Sequence, residues 1–202
     1  MEYFFYCRDR PGSMPLRGEL NEEHWAFMDR YAEEMIARGP TLSADGETAT
    51  GSMHIVDLPG PAAAHEFAFD EPNYKAGVYT EVLVRRWKNT LGRTMWEYEG
   101  GAAGHRRFLV IAHGEPGRTA AREALDTAHH RHLDRHYRER LIAYGPLLAQ
   151  DGVDWLGTAL LVELPDRAAA EAMMADEPYA RGGLYRSVEI HDWRFGGRPA
   201  AE

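Results

Sequence analysis

Residues 70–79 read Asp-Glu-Pro-Asn-Tyr-Lys-Ala-Gly-Val-Tyr, and residues 176–185 read Asp-Glu-Pro-Tyr-Ala-Arg-Gly-Gly-Leu-Tyr. The shared frame, two acids and a proline leading to Gly-x-Tyr, recurs at a displacement of 106 positions. Working outward, the same displacement lays His24 on His130, Tyr31 on Tyr137, Gly39-Pro40 on Gly145-Pro146, Leu58-Pro59 on Leu164-Pro165 and Trp87 on Trp193. A period this long, kept at so many positions, means two copies of one small domain. The expected boundaries are a first domain over 1–92, a linker over 93–105 and a second domain over 106–197. The run Gly100-Gly101-Ala102-Ala103-Gly104 gives the linker its flexible composition.

Each copy gives the same order of elements. An aromatic run at 3–8 reads as a strand stopped by Asp9-Arg10-Pro11-Gly12; its counterpart, Arg107 to His113, stops at Gly114-Glu115-Pro116-Gly117. A helix follows, with Asn21 as N-cap and Gly39-Pro40 as its end. Its apolar stripe runs His24, Phe27, Tyr31, Met35, and in the second copy His130, Leu133, Tyr137, Leu141. After a short segment at Thr41–Ala44 and an Asp-Gly turn, a strand over Gly51–Leu58 is matched by Gly157–Leu164. Alanine-rich residues 61–69 and 166–175 favour helix, and final strands cover about Val78–Lys88 and Leu184–Phe195. The order β-α-β-β-α-β is ferredoxin-like, with both helices on one face of a four-stranded antiparallel sheet. The fold class expected is α+β: two tandem ferredoxin-like domains packed sheet to sheet as an intrachain pseudo-dimeric α+β barrel.

Bulk properties narrow the function. The 202-residue chain carries a net charge of −9, so it repels phosphate backbones and nucleic acid is not an expected partner. Its single cysteine, Cys7, allows no intrachain disulfide and suits a reducing compartment. No signal-peptide pattern opens the chain and no apolar run is long enough to span a bilayer, so a cytoplasmic location without membrane association is expected. Signatures for nucleotide, flavin and hydrolase chemistry are absent, and no cofactor is expected.

An aromatic first strand, an early helical histidine, Gly-Pro, an Asp-Gly turn, an acidic-Pro segment, Gly-x-Tyr and a terminal Trp together resemble the YciI-like family. The resemblance spans nearly the whole chain, twice. It implies a dimeric α+β barrel fold akin to muconolactone isomerase, and a His–Asp pair in a cleft beside the sheet. One relative in that family eliminates chloride from a chlorinated hydroxyquinol. Carried over by position, the histidine falls on His24 and His130. The acid falls on Glu71 and Glu177, with Asp70 and Asp176 one residue earlier, and the first copy interposes Asn73 before Tyr74.

An imidazole oriented by a carboxylate is the arrangement a general base needs. The catalytic candidates are therefore His24, Asp70, Glu71, His130, Asp176 and Glu177, and which carboxylate meets each histidine stays open. Tyr79, Tyr185 and His54 are candidates to line the cleft and touch substrate. His129, His132 and His136 fall on a helical face opposite the apolar stripe, where a solvated face is expected and no metal site. The expected activity is cofactor-independent His–carboxylate acid/base chemistry on a small cyclic or aromatic-derived molecule, as a lyase, isomerase or cyclase. The alternatives are a non-catalytic small-molecule-binding or scaffold protein, and a cofactor-free monooxygenase. The partners expected are a small-molecule substrate and, as a candidate assembly, a homodimer of the two-domain chain.

Overall fold

The computed structural model describes residues 1–198. It resolves into two compact units: Met1–Arg86 together with residues 193–198, and Trp87–Asp192. The first contains β1 (Glu2–Asp9), α1 (Met14–Glu19), α2 (Asn21–Asp29), β2 (Met35–Leu42), β3 (Ala49–Asp57), α3 (Pro61–Phe69), α4 (Pro72–Lys75) and β4 (Tyr79–Trp87). The second repeats the order with β5 (Arg106–Gly114), α5 (Thr119–Tyr137), β6 (Leu141–Leu148), β7 (Trp155–Leu164), α6 (Arg167–Asp176), α7 (Pro178–Arg181) and β8 (Tyr185–Trp193). Both are α+β units of ferredoxin-like order. Among the described residues no helix is long and apolar enough to cross a membrane.

In the first unit β1 lies between β3 and β4, and β3 between β1 and β2, all antiparallel; Phe5 faces His54 on one side and Val84 on the other. In the second unit β7 lies between β5 and β6, with Ile111 opposite Ala159 and Gly145 also opposite Ala159. Strand β8 borders β5. Period-two alternation decides which side chains meet the helices. Tyr3 and Phe5 of β1 join Val56, Phe27 and Met28 of α2, and Ala64 and Phe67 of α3 in one buried cluster. Phe108, Val110 and Ala112 of β5 do the same with Val162, Leu133 and Met173.

Gly39-Pro40 and Gly145-Pro146 do not end helices. The first helix stops at Asp29, ahead of the turn that opens β2, and the Gly-Pro pairs sit inside β2 and β6. Glycine is required there by close backbone approach rather than by a helix terminus. A Cβ on Gly39 would collide with the Arg194 carbonyl oxygen and the Trp193 indole, and one on Gly145 with the Lys88 carbonyl and the Trp87 indole. The passing chain is held by hydrogen bonds: Gly196 N–H donates to the Arg38 carbonyl at 3.0 Å, and Thr90 N–H to the Tyr144 carbonyl at 3.0 Å.

The repeat displacement is also not uniform. Cys7 pairs with Ser52 and Ala112 with Thr158, so first strands are displaced by 105 positions (7 to 112) while their partners are displaced by 106 (52 to 158). The second copy gains its extra residue between the helical core positions Met28 and Leu133 and the strand starts Met35 and Leu141, where α5 runs on to Tyr137.

Candidate active site

Glu71 is placed by the short helix it caps. With Pro72 at the first helical position, the Glu71 carboxylate accepts the Tyr74 N–H at 2.9 Å through Oε2. Its Oε1 is left to face α2, where it meets His24 Nδ1 at 2.5 Å. Both side chains are buried. Asp70, one residue earlier, is exposed and pairs with Lys75 at 2.8 Å. The carboxylate that meets the first histidine is therefore Glu71. With Nδ1 committed, Nε2 is the ring nitrogen available to a molecule beside His24.

Such a molecule has room. A cavity of about 230 Å³ in the first unit is lined by His24, His54, Ser52, Arg17, Trp25 and Ala49 among others. Arg17 reaches it from α1, with NH1 at 3.0 and 3.1 Å from the two Asp9 oxygens and NH2 at 2.8 Å from Ser52 Oγ. Tyr79 does not line the cavity. Its hydroxyl donates to Ser52 Oγ at 3.5 Å and accepts from Asn73 Nδ2 at 3.3 Å, so it supports Ser52 from behind.

The electrostatics follow from burial. His54 lies 6.0 Å from His24 between ring centroids, edge-on to Phe67. Burial, then the neighbouring His24, Arg38 and Arg17, hold its pKa well below the usual imidazole range, so it is neutral near pH 7. Burial raises Asp9 to about 6 even though Arg17 opposes the shift. The Tyr79 phenol is pushed up by burial, then by Cys7 and Glu71. Cys7 is raised likewise, by burial first, so its thiol stays protonated and is no nucleophile.

In the second unit Glu177 caps α7 through Tyr179 N–H and Ala180 N–H, each at 3.0 Å, and Oε2 meets His129 Nδ1 at 2.6 Å. The residue here is His129, not the expected His130. His130 is half-buried, with Nδ1 at 3.4 Å from Asp126 Oδ2. Asp176 is exposed, 3.7 Å from Arg181. The cause is the extra residue: at a displacement of 105, His24 corresponds to His129 and Arg17 to Arg122. His129 and Leu133 are four apart and share one helical face; His130 is turned about 100° away. His129 thus leaves the outward face on which it was expected. His132 and His136 remain near each other, 5.1 Å between rings, and among the described residues no group of three or more His, Cys, Asp or Glu could hold a metal ion.

The second pair has different surroundings. Tyr179 stacks on His129 at 3.8 Å with an interplanar angle of 8°, and Trp155 packs edge-on to Tyr179 at 5.7 Å. With Leu184 they form a buried cluster, against which Tyr185 rests while donating to Thr158 Oγ1 at 3.1 Å. The first copy has Asn73 where the second has Tyr179, and Ala49 where the second has Trp155. Asn73 is therefore a substitution, not an insertion. Sequence reasoning passed over Arg17, Asp9, Ser52 and His129. One signal was present, since Pro11-Gly12 and Pro116-Gly117 lie 105 apart, not 106.

An uncharacterized protein of Haemophilus influenzae is 30% identical over 95 residues, 44% of this chain and 97% of the relative. The 5-chloro-2-hydroxyhydroquinone dehydrochlorinase of Burkholderia phenoliruptrix, solved with 2,5-dihydroxybenzoquinone, is 32% identical over 44% of this chain and 95% of its own, at a TM-score of 0.42. A mutant chlorite dismutase of Candidatus Nitrospira defluvii aligns over 96% of this chain and 91% of its own, at a TM-score of 0.60 and 10% identity. That last likeness speaks to the fold alone, the α+β fold of the dimeric α+β barrel proteins. The YCII-related domain model matches residues 1–88 and again 106–194, and the chain belongs to that family as a tandem pair.

Proposed function

We propose that the first copy is a cofactor-independent acid/base catalyst of the lyase or isomerase type, acting on a small cyclic or aromatic-derived molecule. The observation that carries the reading is the His24 Nδ1–Glu71 contact of 2.5 Å at the wall of a 230 Å³ cavity. His24 Nε2 takes a proton from a carbon next to a carbonyl, and the bonding electron pair moves to the carbonyl oxygen. Glu71 holds the ring in one orientation and pairs with the imidazolium that forms. His54, neutral and at the same cavity, donates an N–H to the oxygen that gains charge. Collapse of the enolate expels a leaving group from the adjacent carbon or returns the proton elsewhere on the ring. Tyr79 and Asn73 act behind Ser52. In the second copy we assign His129 and Glu177 a structural role, because Tyr179 and Trp155 pack where an open cleft would be.

The test is solvent exchange: a panel of monocyclic enolisable ketones in D₂O with deuterium incorporation read by NMR. His24→Ala should lower the exchange rate by about 10²–10⁴ with the fold intact. Full exchange in that variant would remove His24 from the chemistry.

A further inference from the structure

The charge of the cavity wall is opposite to that of the chain. Three arginines, Arg17, Arg38 and Arg194, line the cavity against one carboxylate, Glu47, in a protein of net charge −9. Arg17 is held by two partners. Its side chain is only 11% exposed and is fixed between the end of β1 and the middle of β3 by Asp9 and Ser52. A guanidinium carries five N–H donors, and the three contacts to Asp9 and Ser52 leave at least two for another acceptor. Arg38 pairs with Asp29 at 3.8 Å, and Arg194 is exposed at the rim. In the second copy the residue corresponding to Arg17 is Arg122, which pairs with Asp126 at 2.7 Å and lies over the Tyr179 ring.

We propose that the first-copy cavity binds a one-ring organic carboxylate, with the carboxylate on the Arg17 fork and the ring carbon that loses its proton beside His24. Size agrees: an apolar cavity of about 150 Å³ takes benzene, so 230 Å³ accommodates a ring with a carboxylate and one more substituent. Geometry agrees as well, because a planar fork matches a planar carboxylate and a point charge does not. The inference rests on the catalytic reading of His24 and Glu71 for where the ring lies, but its binding component stands apart from turnover. Arg17 is in this account a specificity-determining residue.

The experiment is calorimetry on the full chain at neutral pH with benzoate and its neutral isostere benzamide as probes. Benzoate should bind about tenfold more tightly or better, a preference of the size a charge-assisted fork provides. Arg17→Met should abolish the preference. Because Arg17 also ties Asp9 to Ser52, the variant is checked for fold by circular dichroism and paired with Arg17→Lys, which keeps the charge but loses the fork and should cut the preference at least severalfold. Equal binding of the two probes, no binding of benzoate, or a preference that survives in folded Arg17→Met overturns the proposal. His24→Gln separates the two readings. It should lose deuterium exchange and keep the benzoate preference, so intact exchange in that variant counts against the base and a lost preference against the carboxylate site.

Discussion

The first copy has Asn73 and Ala49 where the second has Tyr179, stacked on His129, and Trp155, packed against Tyr179. The imidazole–carboxylate contact is nearly the same, 2.5 Å in one and 2.6 Å in the other. Duplication has kept the pair and changed what surrounds it. The second pair is buried with the Tyr179 ring stacked on its imidazole, whereas the first borders a cavity where a ligand can be met. The caps explain why the pair persists in both: each glutamate closes the N-terminus of a short helix whether or not anything is catalysed. Retention of a motif across copies thus says nothing by itself about catalysis. The two side chains that fill or vacate the space are the better guide.

The comparison can be broken from the first copy. Ala49→Trp imports Trp155 and should fill the cavity, lowering deuterium exchange by about 100-fold while thermal unfolding changes little. From the second copy, His129→Ala strands the Glu177 carboxylate in the interior and should cost about 3 kcal/mol in chemical denaturation, with exchange per folded molecule unchanged. Tyr179→Asn imports Asn73. It should cost about 2 kcal/mol through lost stacking and burial, again without loss of exchange.

The smallest effect concerns pH. Asp9, raised to about 6, binds a proton in the folded chain that the unfolded chain does not bind until pH falls toward 3.8. Stability should therefore rise as pH drops from about 6 toward 4, relative to Asp9→Asn. The rise should be about 1 kcal/mol once screening by water near the Asp9–Arg17 pair is allowed for. Parallel pH profiles for the two proteins would mean that Asp9 is not desolvated as described.

Much of this was legible in the chain, and the exceptions have physical causes. The duplication, the element order and the acidic-Pro frame rest on local signals, namely turn residues, period-two runs and prolines, which survive without tertiary context. Gly39-Pro40 misled because a glycine forced by a passing backbone looks in sequence like one that ends a helix; only the Trp193–Arg194 segment, more than 150 positions on, explains it. His130 misled because one displacement was applied to a repeat that carries one extra residue in its helix. On a helix a single position is a turn of about 100°, enough to move an imidazole off the core face. Arg17 was invisible for a different reason. Its partners Asp9 and Ser52 lie on two strands, and nothing in the spacing of the three suggests contact.

The central claim is that one of two equivalent histidines faces a cavity and the other is sealed. Its most direct test is mass-spectrometric mapping of diethyl pyrocarbonate modification in the folded chain, followed in time alongside deuterium exchange. His24, lining the cavity, should be modified with exchange lost in step, while His129, 3% exposed beneath Tyr179, should be spared. Modification of His129 as fast as His24, or of His24 with exchange intact, would contradict the account.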